Sequence, residues 1–227
     1  MRWLGGELHL GAGSRVLDLA AGTGKFTRML VGFGPRLVAV EPVEGMRRVF
    51  RSQLPDVPVV GGRAEAIPVR EGMVDAVVVA QAFHWFEAPA AIRELRRVLR
   101  PGGRLGLVWN VRDEEASPFW AGLTEVLAPH RADAPAHRWE VWRRAFESTD
   151  LFEPLHSRSF RFEPEISRGQ VLDRVLSTSF IAALPDGPRR GVAERVLDLL
   201  DRDPRTAGRD VVRLPYRTDV YATTRTA

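Results

Sequence analysis

A chain of 227 residues, 44% hydrophobic and 27% charged, has the length and composition of one globular domain able to bury a full core. The absence of cysteine excludes a disulfide framework, a cysteine-ligated zinc and a cysteine nucleophile, and no run reaches the roughly 18 apolar residues of a membrane span, since Asp75 interrupts the stretch from Met73 to Phe83. The formal charge is only +4, and with Lys25 the only lysine, 32 of the 33 basic residues are arginines scattered among acids, which is no footprint for nucleic acid.

The segment before the first strand carries Gly5, Gly6, Gly11 and Gly13, which disfavour a long helix, and it lacks the pattern of a signal peptide; a cytoplasmic location is expected. Arg15–Ala20, Arg36–Glu41, Val57–Val60, Val74–Ala80 and Arg104–Asn110 are short, rich in β-branched residues and closed by Gly, Pro or polar residues. Their continuous apolar character predicts buried parallel strands. Between them, Lys25–Gly32, Val43–Gln53 and Ala88–Arg100 read as helices, the last with Ala91, Ile92, Leu95, Val98 and Leu99 at helical spacing before the Pro101-Gly102-Gly103 stop. Its other face presents Arg93, Arg96, Arg97 and Arg100, which reads as a docking stripe for an anion or, more simply, as a solvated face beside Glu87 and Glu94. The alternation of strand and helix predicts an α/β, doubly wound sheet.

Beyond Asn110 the pattern changes. Ser117-Pro118 marks a helix start, Ala128–Ala136 a loop, and Arg138–Glu147 a helix with Trp139, Trp142 and Phe146 on one side. A strand is expected over Ser157–Glu163, helices over Ser167–Ser177 and Pro188–Asp201, and a last strand over Val211–Thr224. The economical organisation is a single domain over 1–227: a cofactor-binding core at 15–110, a substrate cover with late strands at 111–210, and a final strand at 211–227.

The sharpest feature is VLDLAAGTGKFT, Val16 to Thr27, in which a buried strand ends near Asp18, a small-residue loop turns and a helix opens. Ligands of open α/β sheets bind just outside such strand ends. Ala20, Ala21, Gly22 and Gly24 leave room for backbone to lie against a ligand. Glu41 closes the second strand 23 residues after Asp18, where a carboxylate can accept from both hydroxyls of a ribose. The third glycine of the dinucleotide pattern is missing, its place taken by Thr27, which counts against NAD; Gly24-Lys25 is followed by Phe26, which excludes a Walker loop.

With these motifs in order, the chain resembles the class I S-adenosylmethionine-dependent methyltransferases. VLDLAAGTGKFT matches the family's first motif, with Ala20 where glycine is usual, and AVEPVEGM (Ala39–Met46) matches the acidic second motif. GRAEAIPVREGMVDAVVVAQAFHWF (Gly62–Phe86) matches the stretch from the adenine loop through the fourth strand, and LRRVLRPGGRLGLVWN (Leu95–Asn110) the following helix and fifth strand. QAFHWF, STSF (Ser177–Phe180) and LPYRTDVY (Leu214–Tyr221) are similar to small-molecule methyltransferases of the type 11 or trans-aconitate kind. The resemblance implies a seven-stranded, mostly parallel, Rossmann-like sheet with its last strand antiparallel and a helical substrate cover. It also implies S-adenosylmethionine as cofactor: Asp18, Ala20, Gly22 and Gly24 lining its methionine part, Glu41 holding the ribose beside Pro42, Ala64 and Glu65 bordering the adenine, and Gln81 under the reactive end.

Methyl transfer from a sulfonium needs distance, angle and exclusion of water, and a base only when the nucleophile must lose a proton. His84 is the histidine placed to take a proton or hydrogen-bond an acceptor, and reads equally as a structural residue. Trp85 can pack on cofactor or substrate, or simply on the wall. Arg143 or Arg144 can pair with a substrate carboxylate. The Trp139, Trp142, Phe146 stripe reads as core before it reads as a substrate cage. The histidines suggest no metal site. The expected partner is a small-molecule methyl acceptor, with neither nucleic acid nor membrane; the absence of Asn/Asp-Pro-Pro-Tyr after the fourth strand disfavours nucleobase amines. The readings that compete are an NAD-type oxidoreductase and a non-catalytic nucleoside-binding protein. The short lead before the first strand predicts an open pocket, with any missing cover absent, supplied by a second subunit of a homo-oligomer, or lost through a late start.

Overall fold

A computed structural model describes residues 1–130 and 138–227, with the side chains of residues 138–141 and 179 left aside. In chain order the elements are α1 (Arg2–Glu7), β1 (Arg15–Leu19), α2 (Thr27–Val31), β2 (Arg36–Val40), α3 (Glu44–Gln53), β3 (Val59–Val60), β4 (Val74–Ala80), α4 (Ala88–Val98) and β5 (Leu99–Arg112). They continue as α5 (Pro118–Leu127), α6 (Arg138–Glu147), β6 (His156–Phe162), β7 (Glu165–Ser167), α7 (Arg168–Leu176), α8 (Ser179–Ala182), α9 (Asp186–Arg202), β8 (Val211–Arg213) and β9 (Tyr216–Thr224).

The main sheet has seven strands in the order β3-β2-β1-β4-β5-β9-β6. Neighbours from β3 to β5 are parallel, in register Asp18 with Ala39 and Asp18 with Val78. The chain builds outward from β1 to β3, then crosses over to β4 and β5, so the strand order reverses between β1 and β4, where this class of sheet opens a ligand crevice. The last strand, β9, runs antiparallel, as expected: the Arg225 N–H donates to Gly103 and the Asp113 N–H to Pro215, so residue numbers fall on one strand as they rise on the other.

The runs read as strands are buried because both faces of a parallel sheet are covered: Val16, Leu17, Val77 and Val78 are fully inaccessible. The charge that interrupts β4, Asp75, is held by the Arg15 N–H at 2.8 Å, the Arg15 guanidinium at 3.1 Å and the Arg100 Nε at 2.7 Å. The glycines of the N-terminal segment allow a short helix and bring it close. A Cβ on Gly5 would lie 2.4 Å from the Phe33 ring, and one on Gly106 would lie 2.8 Å from both Leu4 and Leu8.

Boundaries moved where proline acts. The helix expected over Ala88–Arg100 stops at Val98, since the residue before a proline avoids helical backbone; Leu99 already pairs with Val74, and the register shifts around Pro101-Gly102-Gly103 before Arg104 pairs with Ala76. The single strand expected over Val211–Thr224 is two, broken at Leu214-Pro215 because proline has no N–H for a ladder. Of these, β8 joins β7 in a separate antiparallel pair. Ser167 starts α7 with a full capping box to Gln170. Ser117 stands at the N-cap of α5, but its hydroxyl is buried without a partner among the described residues. The loop expected over Ala128–Ala136 opens with a 3-10 turn, Ala128–His130; its remainder and His137 lie outside the described residues.

Two compact units divide the chain. The first comprises Met1–Trp109, His137–Arg158 and Asp219–Ala227, and the second Asn110–Ala136 and Ser159–Thr218. The second has its own core, in which Phe119, Trp120 and Leu123 of α5 join Val171, Val175, Val192, Val196 and Leu200 of α7 and α9. Among the described residues no helix is long and apolar enough to cross a membrane.

Candidate active site

Three residues of the loop after β1 adopt left-handed backbone: Ala20 at φ 57°, Gly22 at 57° and Gly24 at 84°. Gly24 needs its missing side chain, for a Cβ there would lie 2.8 Å from Leu54 and 2.9 Å from Phe50. Gly22 has open space beside it, where a ligand can approach the backbone. Ala20 holds the conformation at a cost of roughly 1–2 kcal/mol. Ala20→Gly is therefore expected to raise stability by about 0.5–1 kcal/mol after the added unfolded-state entropy is deducted. A thermal melt checks this, and a lowered melting temperature would mean that the Ala20 methyl makes a contact worth more than the strain.

Glu41 laces this loop to the next. Its Oε2 accepts from the Gly22 N–H at 2.9 Å and its Oε1 from the Val43 N–H at 2.9 Å, and the residue is 4% exposed. Both oxygens retain a second lone pair. The neighbouring carbonyls of Glu41 and Pro42 accept from Arg47 at 2.6 and 2.7 Å, which holds the turn into α3.

Asp18 is buried at the end of β1. Its Oδ2 accepts from the Thr27 hydroxyl at 2.5 Å, while Oδ1 has no hydrogen-bond partner among the described residues. Burial pushes the Asp18 carboxyl up to about 7, and the Glu41 charge adds to the rise against the pull of the Thr27 hydroxyl. Thr27, fully inaccessible, occupies the place of the third dinucleotide glycine and uses its hydroxyl to fix Asp18.

Ala64 is buried, and Glu65 Oε1 accepts from the Glu87 N–H at 3.0 Å, tying its loop to the start of α4. Arg97 of α4 fastens the same region by donating to the Ile67 and Val69 carbonyls at 2.8 Å each while pairing with Glu94 at 2.6 Å. Part of the expected arginine face is thus structural: Arg97 makes these bonds and Arg100 serves Asp75. Gln81, at the carboxyl end of β4, also has left-handed backbone, φ 59°, and donates its N–H to Val108.

The next segment, Phe83–Trp85, forms a 3-10 turn. The Trp109 indole N–H donates to His84 Nδ1 at 3.3 Å, and Trp85 is 60% exposed with its ring 4.9 Å from that of His84. Trp109 stacks on Trp142 at 4.4 Å, and Tyr221 stands edge-on to both, at 5.7 and 5.0 Å. Arg143 places its guanidinium 5.1 Å over the Tyr221 ring. Trp142 and Phe146 are buried, so that stripe is core; the Trp139 side chain lies outside the described residues.

Two clusters emerge: Asp18, Gly22, Thr27, Glu41 and Val43 in one hydrogen-bonded group, and His84, Trp109, Trp142, Tyr221 and Arg143 in a chain of ring contacts. The sequence pattern assigns Thr27, Trp109 and Tyr221 no place in a site. For Thr27 the signal was there, a hydroxyl where a glycine was missing; Trp109 and Tyr221 meet His84 and Arg143 only through the sheet. Among the described residues no cluster of His, Asp or Glu has the arrangement of a metal site.

A family model described as a methyltransferase domain matches residues 17–107. The chain is 34% identical over 221 residues to an uncharacterized methyltransferase-like protein of Schizosaccharomyces pombe, covering 97% of this chain and 86% of that one. It is 40% identical over 214 residues to an uncharacterized methyltransferase of Mycobacterium tuberculosis, covering 91% and 82%. A solved structure from Anaeromyxobacter dehalogenans, described as that of a type II methyltransferase, shares the fold with a TM-score of 0.71 at 23% identity, covering 99% and 94%.

Proposed function

The chain belongs to the S-adenosylmethionine-dependent methyltransferase family, and from that premise we propose that it acts in the cytoplasm on a small molecule bearing a carboxylate, which it methylates. S-adenosylmethionine, the methyl donor of this family, supplies when bound a methyl group on a cationic sulfur. The observation that carries the reading is the first cluster, which fits such a cofactor. The buried Asp18 Oδ1 lacks a donor that an ammonium would provide, and Glu41 keeps lone pairs for vicinal hydroxyls after holding Gly22 and Val43. Gly22 leaves open space beside the backbone.

The second cluster supports the acceptor class. With Nδ1 taken by the Trp109 N–H, neutral His84 carries its proton on Nε2, so it donates a hydrogen bond toward an acceptor oxygen rather than removing a proton. A carboxylate is already ionised near neutral pH and needs no base. Arg143, held over Tyr221 and in no ion pair among the described residues, supplies the matching charge. On this reading Arg143 draws the carboxylate in, His84 orients one oxygen, and the aromatic wall keeps water from the line of attack.

Thermal-shift titration with S-adenosylhomocysteine and with NAD tests the cofactor, since only the ligand that binds raises the melting temperature. A response to NAD alone overturns the reading. A panel of small carboxylic acids, followed for methyl-ester formation by mass spectrometry, tests the acceptor; methylation confined to amines or phenols overturns that part. His84→Ala is expected to leave S-adenosylhomocysteine affinity unchanged and lower kcat/KM about 10–100-fold, the worth of one hydrogen bond to a charged group. Unchanged turnover would make His84 structural.

A further inference from the structure

A second concavity lies at the other end of the sheet, before the amino ends of the strands. It encloses about 300 Å³ and is lined by His9, Ala12, Ser14, Asp75, Arg100 and Arg104 among others. The glycine loop follows Leu19 at the carboxyl end of β1, whereas this pocket sits beside Ser14 at its start; a strand of that length separates the two by roughly 15 Å.

Its charge is not balanced. Among the described residues Asp75 is the one carboxylate in the lining, and it is shared by two guanidiniums, Arg15 at 3.1 Å and Arg100 at 2.7 Å. The Arg15 hydrogen bond beside it holds its carboxyl well below the usual range, so it stays ionised and stays paired. Arg104 is half-buried and bonded to the backbone carbonyl of Glu7, with no carboxylate partner among the described residues. The Glu7 carboxylate itself lies 3.9 Å from His156. Among the lining side chains, Arg100 and Arg104 against Asp75 leave one positive charge uncompensated, and Arg15, outside the lining but paired with Asp75, adds a second beside it.

The backbone around the pocket forms a tight turn. Gly11 and Ser14 close a turn by exchanging bonds, the Gly11 N–H to Ser14 Oγ at 3.1 Å and the Ser14 hydroxyl to the Gly11 carbonyl at 2.7 Å. That leaves the Ala12 N–H, inside the turn, unused by any acceptor among the described residues. Gly13 has φ 93° and His9, a non-glycine, φ 51°. Such backbone persists in a non-glycine only where the surroundings impose it, and it concentrates at ligand sites. Successive N–H groups in turns of this kind form concavities for anions.

We infer that this pocket binds a small, doubly charged oxyanion of the phosphate type, held by Arg100, Arg104 and the Gly11–Ser14 turn and separate from the methyl-donor site. Inorganic phosphate and a phosphate monoester share this chemistry; glycerol 3-phosphate, used beside inorganic phosphate, separates the sources, because only a ligand recognised through its ester part will bind more tightly than phosphate itself.

The test is calorimetry and thermal melting of the whole chain with sodium phosphate, against sodium chloride at equal ionic strength. Saturable binding near one equivalent is expected, with a rise in melting temperature that chloride does not reproduce. Arg104→Gln and Arg100→Gln should each weaken phosphate binding at least tenfold and leave S-adenosylhomocysteine affinity within about twofold. Ala12→Glu, at an exposed position, places a carboxylate in the turn and should abolish phosphate binding without touching either arginine; it keeps the test valid if Arg104→Gln does not fold. A phosphate response equal to that of chloride, or one undiminished in Arg100→Gln and Ala12→Glu, overturns the assignment.

Discussion

Glu41→Ala is expected to lower the melting temperature by about 10 °C and to weaken S-adenosylhomocysteine binding by at least tenfold. Its carboxylate takes the Gly22 and Val43 N–H groups at 2.9 Å each in a site that is 4% exposed. A hydrogen bond to a charged group is worth about 1.5–3 kcal/mol, and losing the two, with some recovery by water, costs on the order of 3 kcal/mol. In a chain of 227 residues each kcal/mol moves the melting temperature by about 2–4 °C. The consequence differs from that of a residue whose only task is to hold a ribose, because removing Glu41 also frees the loop that the ligand must meet in order. Glu41→Gln, which keeps one acceptor, should fall between wild type and alanine. A Glu41→Ala protein that melts with the wild type would show that the carboxylate does not hold the loop.

Asp18→Asn should have the opposite effect on the free protein and the same effect on the cofactor. The folded-state pKa is raised, from 3.8 to about 7, chiefly by burial. A carboxyl shifted upward destabilises the fold when ionised. The penalty is absent below about pH 4, grows as pH rises through the interval, and is complete above about pH 7. At 1.36 kcal/mol per unit it amounts to something on the order of 4 kcal/mol. Asparagine carries no charge, so its stability relative to wild type should be nearly level at pH 4 and increasingly favourable toward pH 8. Urea unfolding at pH 4, 6 and 8 reads this directly, and a difference that does not vary with pH refutes it. Cofactor binding should weaken at least tenfold in the variant, because the ammonium would then face a neutral amide. In the wild type, affinity for S-adenosylhomocysteine should fall below pH 7, where binding must first remove the proton.

These two carboxylates illustrate how far sequence reading reached. Both were singled out from their places at the ends of strands, and both are part of the loop cluster. What each does there was only half legible. The ribose was the expected partner of Glu41, yet the backbone N–H groups of Gly22 and Val43 already engage it, since a turn of three left-handed residues exposes donors that a sequence pattern does not display. His84 was read as base or as structural residue with nothing to separate them. Trp109, 25 residues later on β5, the strand beside β4, donates its indole N–H to His84 Nδ1, a pairing that only the sheet brings about. The aromatic stripe on α6 was read first as core, and Trp142 and Phe146 are buried.

The sequence by itself determined the order and kind of the first eight elements after residue 14, because apolar period, β-branched runs and Gly or Pro punctuation act over a few neighbours. The same locality made the glycine loop and its acidic partners recognisable. Only the tertiary structure decided the chemical state of the residues found. Strand order brings β4 between β1 and β5, and with it Asp75 between Arg15 and Arg100, His84 against Trp109, and Asp18 into a site dry enough to hold its proton near neutral pH. It also split the final strand at Pro215 and gathered Arg104, His9 and Ser14 into one pocket. Hydrogen-bond partners and desolvation depend on which distant segments meet, and no periodicity in a chain records that.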